Sequence, residues 1–380
     1  MATKPRSIFE DVTTADRPVV ATGAIDRGRP DSRGLVRVWL LVLAALVVVM
    51  VLVGGLTRLT ESGLSITEWN VVTGTLPPLS QADWDAEFAL YQASPQAEAI
   101  NRDMTVSEFR SIYWWEWSHR LLGRIIGGVW IVGFLGLLAL RRVPAGWTVR
   151  LLLPGVLIGL QGFVGWWMVS SGLQEGMVSV ASTRLAVHLG LAFAILGLLL
   201  WDALLLGRTE ASLMTARRQG ERRLFGVSTG LMHLLFLQVL FGALVAGIDA
   251  GRAFPTWPLM GDGFLPPDPF GGGPWWRAFV EDPGLVQFVH RTSGYLVAIL
   301  AVVTFLRARR SPHPATRQAF LLVLGAVALQ VGLGIGAVLS QAQLHVAITH
   351  QATAILLWLL VVRGRFLARH PITQSVRAAR

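Results

Sequence analysis

Eight apolar runs, each near the ~20 residues a helix needs to cross a lipid bilayer, fall at roughly 38–56, 117–140, 151–170, 185–206, 224–247, 287–306, 318–339 and 345–362. Hydrocarbon offers peptide groups no hydrogen-bond partner, so each run must close its own bonds as a helix. The composition agrees. Of the 380 residues, 53% are hydrophobic and only 15% are charged, against about 25% charged in a soluble domain. The expected fold class is an all-α integral membrane protein with eight transmembrane helices.

The connecting segments set an orientation. One alternate set is arginine-rich: Arg141, Arg142 and Arg150; Arg208, Arg217, Arg218, Arg222 and Arg223; Arg307, Arg309, Arg310 and Arg317. The flank with Arg27, Arg29, Arg33 and Arg37 and the tail with Arg363, Arg365 and Arg369 belong with it. The other set is acidic or neutral, as in the long 57–116 loop with Glu61, Glu68, Asp83, Asp85, Glu87, Glu98, Asp103 and Glu108. The positive-inside rule then puts both termini in the cytoplasm and the acidic loops outside. It also explains the net charge of +10 through membrane topology, with no nucleic-acid partner. The first apolar run is long enough to span and has no small-residue cleavage site after it, so it is not a signal peptide. The preceding segment is too acidic for a transit peptide. A flexible cytoplasmic tail over 1–37 and a bacterial inner membrane are expected, with lipid as the surroundings.

The chain contains no cysteine. Disulfides, thiolate catalysis, iron–sulfur clusters and cysteine-ligated zinc are thereby excluded.

The two halves repeat. "GGLTRLTESGLSITEWNVVTGTLPP" (54–78) lies against "GALVAGIDAGRAFPTWPLMGDGFLPP" (242–267), matching Gly54 to Gly242, Glu61 to Asp249, Gly63 to Gly251 and Trp69 to Trp257. "HRLLG" (119–123) lies against "HRTSG" (290–294), "LQGFVG" (160–165) against "LQVGLG" (329–334), and "HLGLA" (188–192) against "HQATA" (350–354). The unit is four helices used twice. Because four is even, both copies enter the membrane from one side. The expectation is two tandem four-helix bundles, over 38–206 and 224–362, joined by a cytoplasmic linker at 207–223, followed by a tail at 363–380, and related by a pseudo-twofold axis along the membrane normal.

Four of the eight histidines fall at repeat-matched places. His119 and His290 lie on the second helix of each unit; His188 and His350 lie on the fourth. In an up-and-down bundle these helices sit diagonally across the core and begin at the same face, so the two imidazoles can face each other. A zinc ion would want more ligands, and no third ligand repeats. A haem iron needs only two axial groups. The plain alternative is a pair of hydrogen-bonded core histidines. His313 and His370 sit in arginine-rich segments, His233 has no counterpart, and His345 lies about 140° round the helix from His350.

Glu116 breaks the repeat, since its counterpart is Gln287. It precedes His119 by three residues and so lies one turn outward on the same face. A carboxylate beside one pair and an amide beside the other suggest two jobs, proton-linked chemistry in the first half and electron carriage in the second. The alternative is an interfacial Glu paired with an arginine. Arg120 and Arg291 follow the second-helix histidines, with Arg58, Arg124 and Arg184 nearby. They suit haem propionates or ordinary interfacial anchoring. The tryptophans Trp114, Trp115, Trp117, Trp166 and Trp167 read as an aromatic belt.

These segments resemble the heme A synthase family. The resemblance rests on "EWSHR" (116–120), "AVHLG" (186–190), "FVHRTSG" (288–294), "ITHQA" (348–352) and the stretch "GGLTRLTESGLSITEW" (54–69), and covers nearly the whole chain after about residue 35. It implies oxidation of the C8 methyl of heme O to a formyl group, by two hydroxylations and loss of water, giving heme A for terminal oxidases. It implies that His290 and His350 ligate a permanent haem b, and that His119 and His188 hold heme O, with Glu116 assisting. Contact with a heme O synthase and with cytochrome oxidase assembly factors is implied as well. Some members carry a cysteine pair in the outer loops; this chain has none, so no thiol–disulfide step belongs to its chemistry. A di-haem b electron-transfer protein linked to quinol would explain the four histidines but not Glu116. A transporter with duplicated halves would place polar groups at the midplane rather than near one face.

Overall fold

The computed structural model describes residues 32–268, 270 and 274–372. The tail expected over 1–37 lies mostly outside the described residues, as does the end of the 363–380 tail. The α-helices among the described residues are α1 (Arg33–Leu59), α2 (Gln81–Gln92), α3 (Pro95–Ala99), α4 (Val106–Ala139), α5 (Thr148–Gly172), α6 (Ser182–Leu206), α7 (Glu210–Arg218), α8 (Arg222–Gly247), α9 (Trp275–Glu281), α10 (Pro283–Ala308), α11 (Pro314–Leu339) and α12 (Leu344–Arg369). Eight of these are long and apolar enough to cross a membrane: α1, α4, α5, α6, α8, α10, α11 and α12. The eight expected runs all fall within them.

Two spans differ in extent from the sequence reading. α4 begins at Val106, about a third of its length before the apolar run at 117. Its start is fixed by a capping box, in which the Thr105 hydroxyl accepts from the Glu108 amide and Glu108 accepts from the Thr105 amide, satisfying otherwise orphaned donors. Apolar length alone does not register such a polar first turn. α12 continues to Arg369 because Phe366 and Leu367 are buried against the C-terminal end of α6 and against Leu213 of α7.

Within the first half, α1 packs on α4 and α6, and α5 packs on α4 and α6. α4 and α6 are therefore opposite corners. In the second half, α8 packs on α10 and α12, and α11 packs on α10 and α12. The halves meet where α6 packs on α8 and α12, and where α1 packs on α12. Lipid tails are as apolar as leucine, so helix association here depends on close van der Waals fit and small residues. Gly197 on α6 shows this: a Cβ there would lie 3.1 Å from the Trp358 ring of α12. Trp358 also meets Phe193 of α6 edge-on at 6.0 Å and Phe236 of α8 at 5.9 Å. Burial follows position. α6, at the centre, is the most buried span, whereas α5 and α11 on the flanks are among the least.

The loop between α1 and α4 is folded. α2 starts with a capping box of Ser80 and Asp83, and Ser94 caps α3. Trp84 and Tyr91 pack on Phe109 and Tyr113 of α4. Gln96 donates to the carbonyls of Glu61 and Val178 at 3.2 and 3.4 Å, which ties this cap to the α5–α6 turn. Glu61 and Asp249, matched in the repeat, both adopt left-handed backbone, at φ 54° and 53°. The short side chain of Asp249 tolerates that region better than most residues do.

Candidate functional site

Each of the four repeat-matched histidines rests in a notch made by a glycine on a neighbouring helix. A Cβ on Gly54 of α1 would lie 2.7 Å from Cε1 of His119, and one on Gly165 of α5 would lie 3.0 Å from Cε1 of His188. In the second half, Gly242 of α8 faces His290 at 3.1 Å and Gly334 of α11 faces His350 at 3.2 Å. Real Cβ atoms essentially never come as close as the Gly54 distance, and the other three are tighter than most real contacts, so a side chain at any of these glycines presses on the ring.

Three of these glycines have a glutamine four residues earlier, one turn away on the same face. The Gln161 amide nitrogen lies 3.2 and 3.3 Å from the two ring nitrogens of His188 and donates to its carbonyl at 3.0 Å. The Gln238 amide nitrogen makes the same set with His290, at 3.2, 3.4 and 3.0 Å. Gln330 reaches Nε2 of His350 at 3.3 Å. Ser293 hydrogen-bonds the Gln238 carbonyl oxygen, completing its amide. The fourth notch lacks this partner, because Met50 stands four residues before Gly54. Nδ1 of His119 is buried with no hydrogen-bond partner, as is Nδ1 of His350.

The rings of His119 and His188 lie with centroids 6.5 Å apart. Two metal–nitrogen bonds of about 2 Å plus two ring half-widths of about 1 Å come to roughly 6 Å. The donor set, the notches that hold the rings and the unpartnered ring nitrogens therefore fit a bis-imidazole haem.

Glu116 is 3% exposed and all its contacts run to Arg120 and the α1–α4 loop. Oε2 accepts from the Ser65 hydroxyl and the Ile66 amide, both at 2.8 Å. Oε1 accepts from Arg120 Nε at 3.1 Å and Nη2 at 2.7 Å. Arg120 also donates to the carbonyls of Ile66 and Glu68, each at 2.7 Å. The repeat-matched contact exists in the second half, where Arg291 donates to the Phe254 carbonyl at 2.9 Å and to Leu259 at 3.3 Å. Both arginines thus hold the loop that follows the first helix of their unit. Nε of Arg291 remains buried without a partner. Gln287 is 2% exposed, donates to Phe254 at 3.5 Å and leaves its own carbonyl unpartnered.

The three other arginines near the second-helix histidines also have protein partners. Arg124 donates to the carbonyls of Val71 and Asn70, Arg184 donates to Trp167, and Arg58 pairs with Asp249 of the other half at 2.7 Å. His233 bonds the Thr229 carbonyl within its own helix, and His345 is exposed. Trp114, Trp166 and Trp167 are 42%, 41% and 37% exposed, as suits a belt. What sequence reading missed is the glutamine-and-glycine face opposite three of the four histidines. Its signal is a Gln-x-x-x-Gly spacing present at 161–165, 238–242 and 330–334.

Fold and site define a multi-pass helical membrane protein with a repeat-matched pair of histidines in each half. Residues 37–362 match the family model described as cytochrome oxidase assembly protein. The heme A synthase of Ruegeria sp. (strain TM1040) is 56% identical over 376 residues, covering 98% of this chain and 99% of that one. Those of Ruegeria pomeroyi and Paracoccus denitrificans are 58% and 55% identical over 375 and 374 residues, again across 98% of this chain. The chain belongs to the heme A synthase family.

Proposed function

We propose that this protein oxidises the C8 methyl of heme O to the formyl group of heme A, with heme O held by His119 and His188 and a resident haem b held by His290 and His350. The observation that carries this reading is the pair of matched histidine sites whose surroundings differ. A bis-histidine haem b supplies one-electron transfer when bound. The chain's own residues do the rest. The glycine notches fix where each imidazole sits. Glu116, held by Arg120 and two loop donors, is the carboxylate that would exchange a proton near the first pair. Arg120 and Arg291, which directly follow His119 and His290, are the cations this reading assigns to haem carboxylates, and Nε of Arg291 is without a protein partner.

The halves are read as two bundles related by a pseudo-twofold axis, with both termini and the 207–223 linker on the cytoplasmic side of a bacterial inner membrane. A heme O synthase and oxidase assembly factors are the protein partners this reading favours. The test is pigment analysis. Protein purified from cells that supply heme O should contain haem b and yield heme A. Absence of haem by pyridine hemochrome spectra rejects both haem assignments. Haem b without any heme A leaves the plain di-haem electron carrier.

A further inference from the structure

The two second-helix histidines are held differently, and the repeat makes the difference legible. Gln238 of α8 and Met50 of α1 occupy the same place. Gln238 Nε2 would lie 3.3 Å from a Cβ on Gly294, and Met50 Cε would lie 3.5 Å from a Cβ on Gly123, the repeat partner of Gly294. The second residue of the set changes with the first. Ser293, which hydrogen-bonds Gln238, is matched by Leu122. A connected polar pair under His290 is thus replaced by an apolar pair under His119. By contrast the fourth-helix histidines keep the same partner, Gln161 for His188 and Gln330 for His350. The lost contact is not made good elsewhere, since His119 Nδ1 is buried and unpartnered.

We propose that Gln238 and Ser293 are positioning residues that make the His290 site a retaining one, and that Met50 and Leu122 make the His119 site a releasing one. Gln238, anchored by its bond to the His290 carbonyl and by Ser293, stands against the His290 ring and fixes its aim, and losing such an outer neighbour of a metal-bound imidazole typically weakens metal binding by about ten- to a hundredfold. A resident cofactor needs that hold. A haem that enters as substrate and leaves as product needs its absence. The assignment of jobs to halves rests on the proposed function; the difference in retention does not.

The test follows capture of hemin by excess apomyoglobin from the reconstituted full-length protein. A His119→Ala background isolates the second site and a His290→Ala background the first. The first site should lose hemin faster than the second. Gln238→Met should speed loss from the second site by about tenfold. Met50→Gln combined with Leu122→Ser should slow loss from the first by a similar factor, a gain of retention that mere structural damage cannot produce. If the transplanted pair does not fold, Gln238→Met with Ser293→Leu must bring the second site to the first site's rate. Equal loss rates from the two parent sites, or rates indifferent to these exchanges, overturn the proposal. With both haems present, the Met50→Gln, Leu122→Ser protein should also make less heme A. Predicted loss rates alongside a parent that makes no heme A would retire the proposed reaction while upholding the retention assignment.

Discussion

His119 lies against Gly54 so closely that a methyl group added to that glycine would sit 2.7 Å from the ring. Relieving that contact moves the His119 ring, which is itself the ligand candidate. Gly54→Ala should therefore displace His119 at a cost of about 1–3 kcal/mol and empty the first site, while haem b stays. The matching clearances are 3.0 Å at Gly165, 3.1 Å at Gly242 and 3.2 Å at Gly334, so alanine should be borne progressively better in that order. Haem content per protein measures it; a site that fills normally in Gly54→Ala contradicts the notch.

Glu116 joins Arg120 and the loop residues Ser65 and Ile66. Glu116→Gln keeps the shape and removes the charge, so haem b should remain and heme A yield should fall. Ser65→Ala removes one hydrogen bond, on the order of 1 kcal/mol, and should lower yield in the same direction by less. An unchanged yield in Glu116→Gln takes the carboxylate out of the chemistry.

Arg58 and Asp249 bridge the two halves at 2.7 Å, but the Asp249 side chain is 47% exposed. Screening by water and salt limits such a pair to about 0–1 kcal/mol. A double-mutant cycle on thermal unfolding in detergent should return a coupling in that range that shrinks with added salt. A coupling that survives high salt would mean the pair is shielded from solvent.

His370, just past α12, packs on Phe366 at 5.0 Å and on Trp201 at 6.4 Å. Burial first, then Arg369, Arg208 and Arg217, push its pKa from 6.5 down to about 4. Between those values the unfolded chain binds the extra proton and the folded one does not, so stability falls as pH drops from 6.5 toward 4. His370→Gln should flatten that part of the pH–stability curve. An equally steep decline in the variant would assign it to other groups.

Much of this was legible in the sequence, for identifiable reasons. Spans are set by apolar length, which lipid demands, and all eight were readable. The four histidines stood out because an internal repeat acts as a control, and the Glu116 to Gln287 change was visible by the same comparison. α2, α3, α7 and α9 were not foreseen, since short capped helices carry no apolar period long enough to register. The arginines' choice of loop carbonyls also escaped, because sequence shows a charge but not its nearest acceptor. The Gln-x-x-x-Gly spacing was present in the text, yet only coordinates reveal that it faces a histidine on another helix.

Each histidine pair draws one member from the wall the halves share and one from an outer flank. His188 is on α6 and His350 on α12, which pack on each other; His119 on α4 and His290 on α10 stand apart. A change in the wall is felt by both sites at once, whereas a change at a flank is private to one. The surroundings have diverged accordingly. Gln161 and Gln330 are the same residue beside the wall histidines, while Glu116, Met50 and Leu122 differ from Gln287, Gln238 and Ser293 around the flank ones. The copies have specialised around the histidines that stand apart, and they have done so even through helices that touch, since Met50 is on α1 and Gln238 on α8.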